Sequence, residues 1–182
     1  VVVSDKGWVR TRTGHGHAAD VFAFKAGDTL RDTCECRSVD TLIVLGSNGR
    51  TYSLSVSALP VGRGDGQPIT TLIELEAGTQ VAHYMAGPGD AGFVLSTTDG
   101  YGFVAQIQDM VSRQKAGKAF INVPDGVGVN APSPLLIQQV TEAGTQGVMA
   151  THVACASVGG RILTFELPGL TPIPKGGRGL TL

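Results

Sequence analysis

The tightest constraint on this chain is an internal repeat. Three segments share one plan: "LIVLGSNGRTYSLSVSALPVGRGDGQPI", "GFVLSTTDGYGFVAQIQDMVSRQKAGKAFI" and "VACASVGGRILTFELPGLTPIPKGGRGL". Each has an apolar run, a turn with glycine, an alternating strand, and then a basic box around a glycine. The turn glycines are Gly49, Gly100 and Gly160, and the central box glycines are read as Gly66, Gly117 and Gly177, 17 residues further on in every copy. Between these landmarks the apolar positions also keep step. Tyr52, Phe103 and Leu163 lie three past the turn, Leu54, Ala105 and Phe165 two further, and Val56, Ile107 and Leu167 two further again. Alternation of that kind marks one face of a strand. Tyr52, Phe103 and Leu163 are therefore expected to be buried equivalents, as are Val56, Ile107 and Leu167, and Leu59, Met110 and Leu170 are expected to anchor the loop into each box. The Asn-Gly and Asp-Gly pairs predict two-residue type I′ hairpins. A shorter fourth unit opens the chain as "VVVSDKGWVRTRTGHGH", with Gly7 in the turn.

Successive turn glycines are 42, 51 and 60 residues apart. That period, with about four strands per unit, fits blades of a propeller-like disc better than solenoid coils. The expected fold is all-β, four-stranded blades over a single domain of residues 1–182, divided near 1–40, 41–91, 92–151 and 152–182, with strands exchanged between neighbours. Variable length falls in polar or proline-rich loops such as "AGPGDAG" and "VNAPSPL". Helix is confined to one turn within "QIQDMVSRQ". The 26 glycines, without a Gly-X-Y period, agree with many tight turns. The disc is expected to be open or incomplete, because the chain stops directly after its last box, where the next strand would start. Since "VVVSDKGWVR" begins inside a strand pattern, the sequence reads as part of a longer protein.

The formal net charge is −1, so any anion-binding surface must come from local segregation of charge. The boxes supply that segregation through Arg63, Arg113, Lys115, Lys118, Lys175 and Arg178. Glycine lets the backbone approach a partner closely, and free N–H groups with flanking cations suit phosphate. Cations repeated on successive blades form an arc that matches a bent duplex. Arg10, Arg12, Arg50 and Arg161, on or near the hairpins, join them as candidate contacts. The alternative is that the glycines serve tight turns and the cations are solvated. Nothing points to catalysis: no nucleophile elbow, phosphate loop or zinc-protease motif occurs, and Tyr52, Tyr84 and Tyr101 sit in apolar or hairpin contexts. Cys34, Cys36 and Cys155 read as reduced structural thiols, and His15 and His17 as turn residues without further ligands. "RGD" at 63–65 belongs to the first box. No run of 18 apolar residues occurs, so no membrane span is expected.

The stretches "VVVSDKGWVRTRTGHG", "FKAGDTL", "TTDGYGFV…MVSRQKAGKAFINVP" and "LPGLTPIPKGGRGLTL", in this order over essentially the whole chain, resemble the C-terminal domain of the bacterial topoisomerase IV A subunit. The gyrase A protein has a related domain. The resemblance implies a β-pinwheel with double-stranded DNA along a basic outer rim, and no catalysis in the domain itself. It implies a parent enzyme that passes DNA strands with ATP and magnesium, for decatenation, relaxation and chromosome segregation. Its partners would be the topoisomerase IV B subunit and a second A subunit, and its place the bacterial cytoplasm at the nucleoid, with no cofactor in this domain. None of "GRGDGQ", "QKAGKA" and "PKGGRG" is a complete gyrase-type box, which favours topoisomerase IV over a gyrase wrapping domain. A propeller-like protein-interaction module is the alternative from another class. Binding to DNA that falls steeply with salt would separate the two.

Overall fold

A computed structural model describes residues 1–62, 64–141 and 144–182. The strands run, in chain order, β1 (Val2–Ser4), β2 (Trp8–Arg10), β3 (Leu30–Thr33), β4 (Thr41–Gly46), β5 (Arg50–Ser55), β6 (Gln67–Pro68), β7 (Val81–Gly87) and β8 (Gly92–Ser96). They continue with β9 (Tyr101–Gln106), β10 (Lys118–Ala119), β11 (Ser133–Pro134), β12 (Leu136–Thr141), β13 (Gly144–Met149), β14 (His152–Ala156), β15 (Ile162–Glu166) and β16 (Leu180–Thr181). Hairpins β1–β2, β4–β5, β8–β9 and β14–β15 carry the four repeat units. Their turns close alike: the N–H of Gly7, Gly49, Gly100 and Gly160 donates to the carbonyl three residues back, at 2.9–3.0 Å.

Those turns correct the expected type. Each closing glycine has φ between +76° and +82°, and no described non-glycine residue has a positive φ. Asn48 and Asp99 therefore stay in ordinary backbone space, whereas a type I′ turn would need positive φ at both central residues. The geometry is a type I turn followed by a left-handed glycine bulge, which confines the unusual conformation to the one residue that adopts it freely.

Three sheets have four strands each, in the orders β3-β1-β2-β6, β10-β5-β4-β7 and β11-β8-β9-β16. In every one, the fourth strand beside the returning hairpin strand is a short segment supplied by the next unit's box. β6 pairs with β2, β10 with β5 and β16 with β9, all antiparallel. The two expected 17-residue intervals Gly49–Gly66 and Gly100–Gly117 thus follow one path, and the third copy follows it with two extra residues before its exchanged strand. Each leaves its turn, runs along the hairpin, makes one helical turn seven residues past the turn glycine, and crosses back to the preceding blade. The helical turns are Val56–Ala58, Ile107–Met110 and Leu167–Gly169. At the middle one Gln106 N–H donates to Asp109 Oδ2 at 2.9 Å, capping the turn from within its own sequence.

Sheets stack face to face, so the middle blade is buried on both sides. Along "LIVL" of β4, Leu42 and Val44 pack with Val3, Val9 and Tyr52, while Ile43 and Leu45 pack with Leu95, Phe103 and Ile107. A continuous apolar run, rather than an alternating one, is what a strand covered on both faces requires. Leu59, Met110 and Leu170 are buried as expected.

The fourth unit departs from this plan. β14 and β15 form a two-stranded sheet, and so do β12 and β13, an additional hairpin between Leu135 and Ala150 that the repeat pattern did not announce. Tyr52 and Phe103 are fully buried, but Leu163 is 54% exposed, and Leu167 is only half-buried where Val56 and Ile107 are covered. The expectation that all three copies bury these positions is corrected for the last one. Its hairpin has the same register but no strand on either edge among the described residues. No helix among those residues is long and apolar enough to cross a membrane.

Candidate nucleic-acid interface

The basic boxes are the crossing segments between blades, and in each a glycine is imposed by packing onto the returning strand of the preceding hairpin; in the third box Gly176 is imposed as well, against the Phe120 carbonyl. Gly66, Gly117 and Gly179 have φ of +89°, +64° and +86°, and a Cβ on any of them would overlap the carbonyl oxygen of Val9, Thr51 or Gly102 on the neighbouring hairpin strand. The third equivalent is therefore Gly179, not Gly177. The strand register says the same: Gln67, Lys118 and Leu180, each one past that glycine, pair with Val9, Thr51 and Gly102. The third box is two residues longer than the others. Its Gly177 instead bridges to Ile121, with its N–H donating to Phe120 O at 2.8 Å. Lys118 and Arg178 are consequently not counterparts; Arg178 occupies the position of Asp65 and Ala116.

The candidate cations fall into two groups. One group spends its donors on the fold. Arg10 is buried at 6% exposure, its guanidinium donating to Gly64 O and to Ala23 O (2.7 Å) while lying over Phe24. Its charge holds the first box in place instead of facing outward. Arg12 is half-buried, donates to Val21 O at 3.0 Å and lies over Phe22. Arg50 grips the second box, donating to Ala116 O (3.0 Å) and Gly117 O (3.1 Å). Lys118 donates to Asp109 O, and its ammonium lies 5.4 Å from the Phe120 ring centre. Arg178 donates to Asp99 Oδ2 at 3.0 Å, with its guanidinium 3.8 Å from the centre of the Tyr101 ring. Asp99 is held below the usual carboxylate range by the Thr97 hydroxyl first and by Arg178 as well, which together outweigh the opposing effect of desolvation.

The other group is exposed. Arg113 and Lys115 in the second box, Lys175 in the third and Arg161 at the fourth hairpin have no side-chain hydrogen bond or ion pair to the described residues. Arg63 lies outside the described residues. Two chemically relevant residues escaped the sequence reading. Lys25, from the loop before β3, sits 4.0 Å above the centre of Trp8 and 3.4 Å from Asp65 Oδ2. Asp99 was read only as a turn residue. The available signal was an aromatic directly after the turn glycine, at Trp8 and Tyr101, beside a box that brings charge to it.

Among the described residues the remaining titratable groups form no second cluster. Burial, with Asp32 adding to it, pushes the Cys34 thiol up to about 12. No cluster of three metal-ligating side chains occurs among the described residues, and the three cysteines are free.

No family model matches the chain. Among curated proteins it is 34% identical over 176 residues to the A subunit of DNA topoisomerase 4 from Pseudomonas aeruginosa, and 32% identical over 176 residues to that of Escherichia coli K12. Each alignment covers 97% of this chain and 22% of the relative, so the chain spans about a fifth of their length. Among solved structures, the E. coli ParC C-terminal domain superposes with a TM-score of 0.84 at 30% identity, over 99% of this chain and 69% of that one. A DNA gyrase A C-terminal domain shares the fold at a TM-score of 0.61 and 18% identity, over 99% of this chain and 58% of that one. With the exchanged strands, the repeated glycine boxes and these likenesses together, the chain belongs to the family of β-pinwheel C-terminal domains found in the A subunits of DNA topoisomerase IV.

Proposed function

We propose that this chain binds double-stranded DNA through the crossing segments between its blades, as a non-catalytic accessory domain of a bacterial topoisomerase IV. Its task in that reading is to hold or bend one DNA segment while the holoenzyme passes another. The B subunit, a second A subunit, ATP and magnesium belong to that larger assembly, working in the cytoplasm at the nucleoid. The observation that carries the reading is the set of exposed cations Arg113, Lys115 and Lys175, unengaged by the described residues and placed on segments whose path is locked by a glycine packed onto the preceding blade. Cations on a fixed backbone meet phosphates at fixed spacing without reading bases, so binding should be indifferent to sequence.

The test is fluorescence anisotropy of a short labelled duplex with the 182-residue chain at several salt concentrations. Each phosphate contact contributes about 0.9 to the slope of log affinity against log salt. Replacing Arg113, Lys115 and Lys175 by Ala should flatten that slope by about 2.7 and weaken binding equally for unrelated duplexes. A folded triple variant with the parent slope would refute the assignment of these residues. A parent chain with no salt-sensitive binding would refute DNA binding altogether.

A further inference from the structure

Two of the blades carry the same three-part arrangement, assembled from different residues. Trp8 and Tyr101 each follow the turn glycine of their hairpin, and each has a cation stacked on its ring: Lys25 at 4.0 Å and Arg178 at 3.8 Å. Each cation also touches a carboxylate, Asp65 at 3.4 Å and Asp99 at 3.0 Å. The sources are reversed. In the first blade the box supplies the acid and a loop supplies the cation. In the third, the box supplies the cation and the hairpin turn supplies the acid. Asp65 and Arg178 both stand directly before the packed glycine. The middle blade has neither part: Arg50 replaces the aromatic, Ala116 replaces the box charge, and the two meet through a guanidinium–carbonyl hydrogen bond.

A cation in contact with a carboxylate presents little net charge to a phosphate. Its contribution to counterion release is correspondingly small. Surface ion pairs of this kind add little stability, so their main effect is on the field of the rim. We propose that Asp99 is an affinity-limiting residue. It holds Arg178 flat on Tyr101 as a charge-neutral latch, and so removes one of the third box's two cations from phosphate binding. Asp65 does the same to Lys25 on the first blade. The second box, with Arg113 and Lys115 unopposed, is left as the strongest grip. This inference rests on the DNA reading above and sets how strongly that surface binds.

The experiment compares the parent 182-residue chain with Asp99→Asn, Arg178→Ala and the double variant, on one duplex across a salt series, with thermal unfolding as a check on fold. Asparagine keeps the shape and the Thr97 hydroxyl contact while removing the charge. Asp99→Asn should bind more tightly, with a slope steeper by about 0.9. Arg178→Ala should leave the parent slope nearly unchanged, and in the Asp99→Asn background it should cancel the gain. If the parent binds and Asp99→Asn keeps or flattens its slope, the latch is refuted and Asp99 instead positions Arg178 for contact. If the parent does not bind, the DNA reading fails on the parent trace alone. The latch then stands only if Asp99→Asn gains binding that Arg178→Ala abolishes, and falls if it gains none.

Discussion

Hairpins β8–β9 and β14–β15 start from nearly the same instructions and reach different ends. Both have a glycine-closed turn, an alternating returning strand and a helical turn seven residues on. In the first, Phe103 is fully buried. In the second its counterpart Leu163 is 54% exposed, and Ile162 beside it is 75% exposed. The local sequence sets turn and register in both. What differs is the company: β8–β9 is flanked by β11 and by β16 from the next unit, whereas β14–β15 has no described strand on either side. Burial in this fold is therefore conferred from outside the unit that carries the apolar residue. A hairpin alone is marginal in water, and the added strands and facing sheet make it stable.

Truncation is the sharpest way to break that contrast. Phe103→Ala should cost about 3–5 kcal/mol, the range for large buried side chains. Leu163→Ala should cost well under about 1 kcal/mol, as surface changes do. Chemical denaturation of the two variants side by side checks this, and equal losses would mean that Leu163 is covered as Phe103 is. The exchanged strands come next. Gly117→Ala forces a Cβ onto the Thr51 carbonyl at a φ that side chains avoid, and should cost about 1–3 kcal/mol. Gly160→Ala strains the backbone equally but meets no atom within 4 Å, so it should cost less. Thiol labelling gives a smaller effect. With Cys34 pushed up to about 12 by burial, its thiolate is scarce at neutral pH, while Cys155 lies on the open hairpin. A maleimide should modify Cys155 about tenfold faster or more, read by mass spectrometry of the digested chain. The mildest change is Lys175→Ala alone, expected to flatten the salt slope by about 0.9 while leaving thermal stability unchanged.

Much of this architecture could be read from the residues, and the failures share a cause. The glycine turns, the helical turn at Ile107–Met110 and the inward face that Tyr52 and Phe103 share are all legible in the pattern of a single unit. The rest depends on contacts between units. "PKGGRG" offers three glycines, and only the pairing of Leu180 with Gly102 shows that Gly179 is the one matching Gly66 and Gly117. "SNG" suits two turn types, and the strand geometry selects the one that keeps Asn48 at ordinary φ. Arg10 looks like a rim cation because nothing nearby in sequence says that carbonyls of Gly64 and Ala23 converge on it. The strands β6, β10 and β16 are two residues each, too short for any periodicity to show. The crossing segments could therefore be read as boxes but not as parts of a sheet.

The exchange of strands also sets a timetable for synthesis. The first sheet is complete only when Gln67 and Pro68 are available, the second only with Lys118 and Ala119, and the third only with Leu180 and Thr181. At about 5–20 residues per second, the roughly 50 residues between the first two completions take about 3–10 seconds to translate. During that interval β5 waits on the ribosome with an unpaired edge. Each new unit completes its predecessor before it can itself be completed, so an emerging chain always trails one open edge, always on its youngest hairpin. A pause in translation just before residue 118 would prolong the exposure of β5. Another nascent chain from the same polysome, carrying its own β10 segment, could then pair there first.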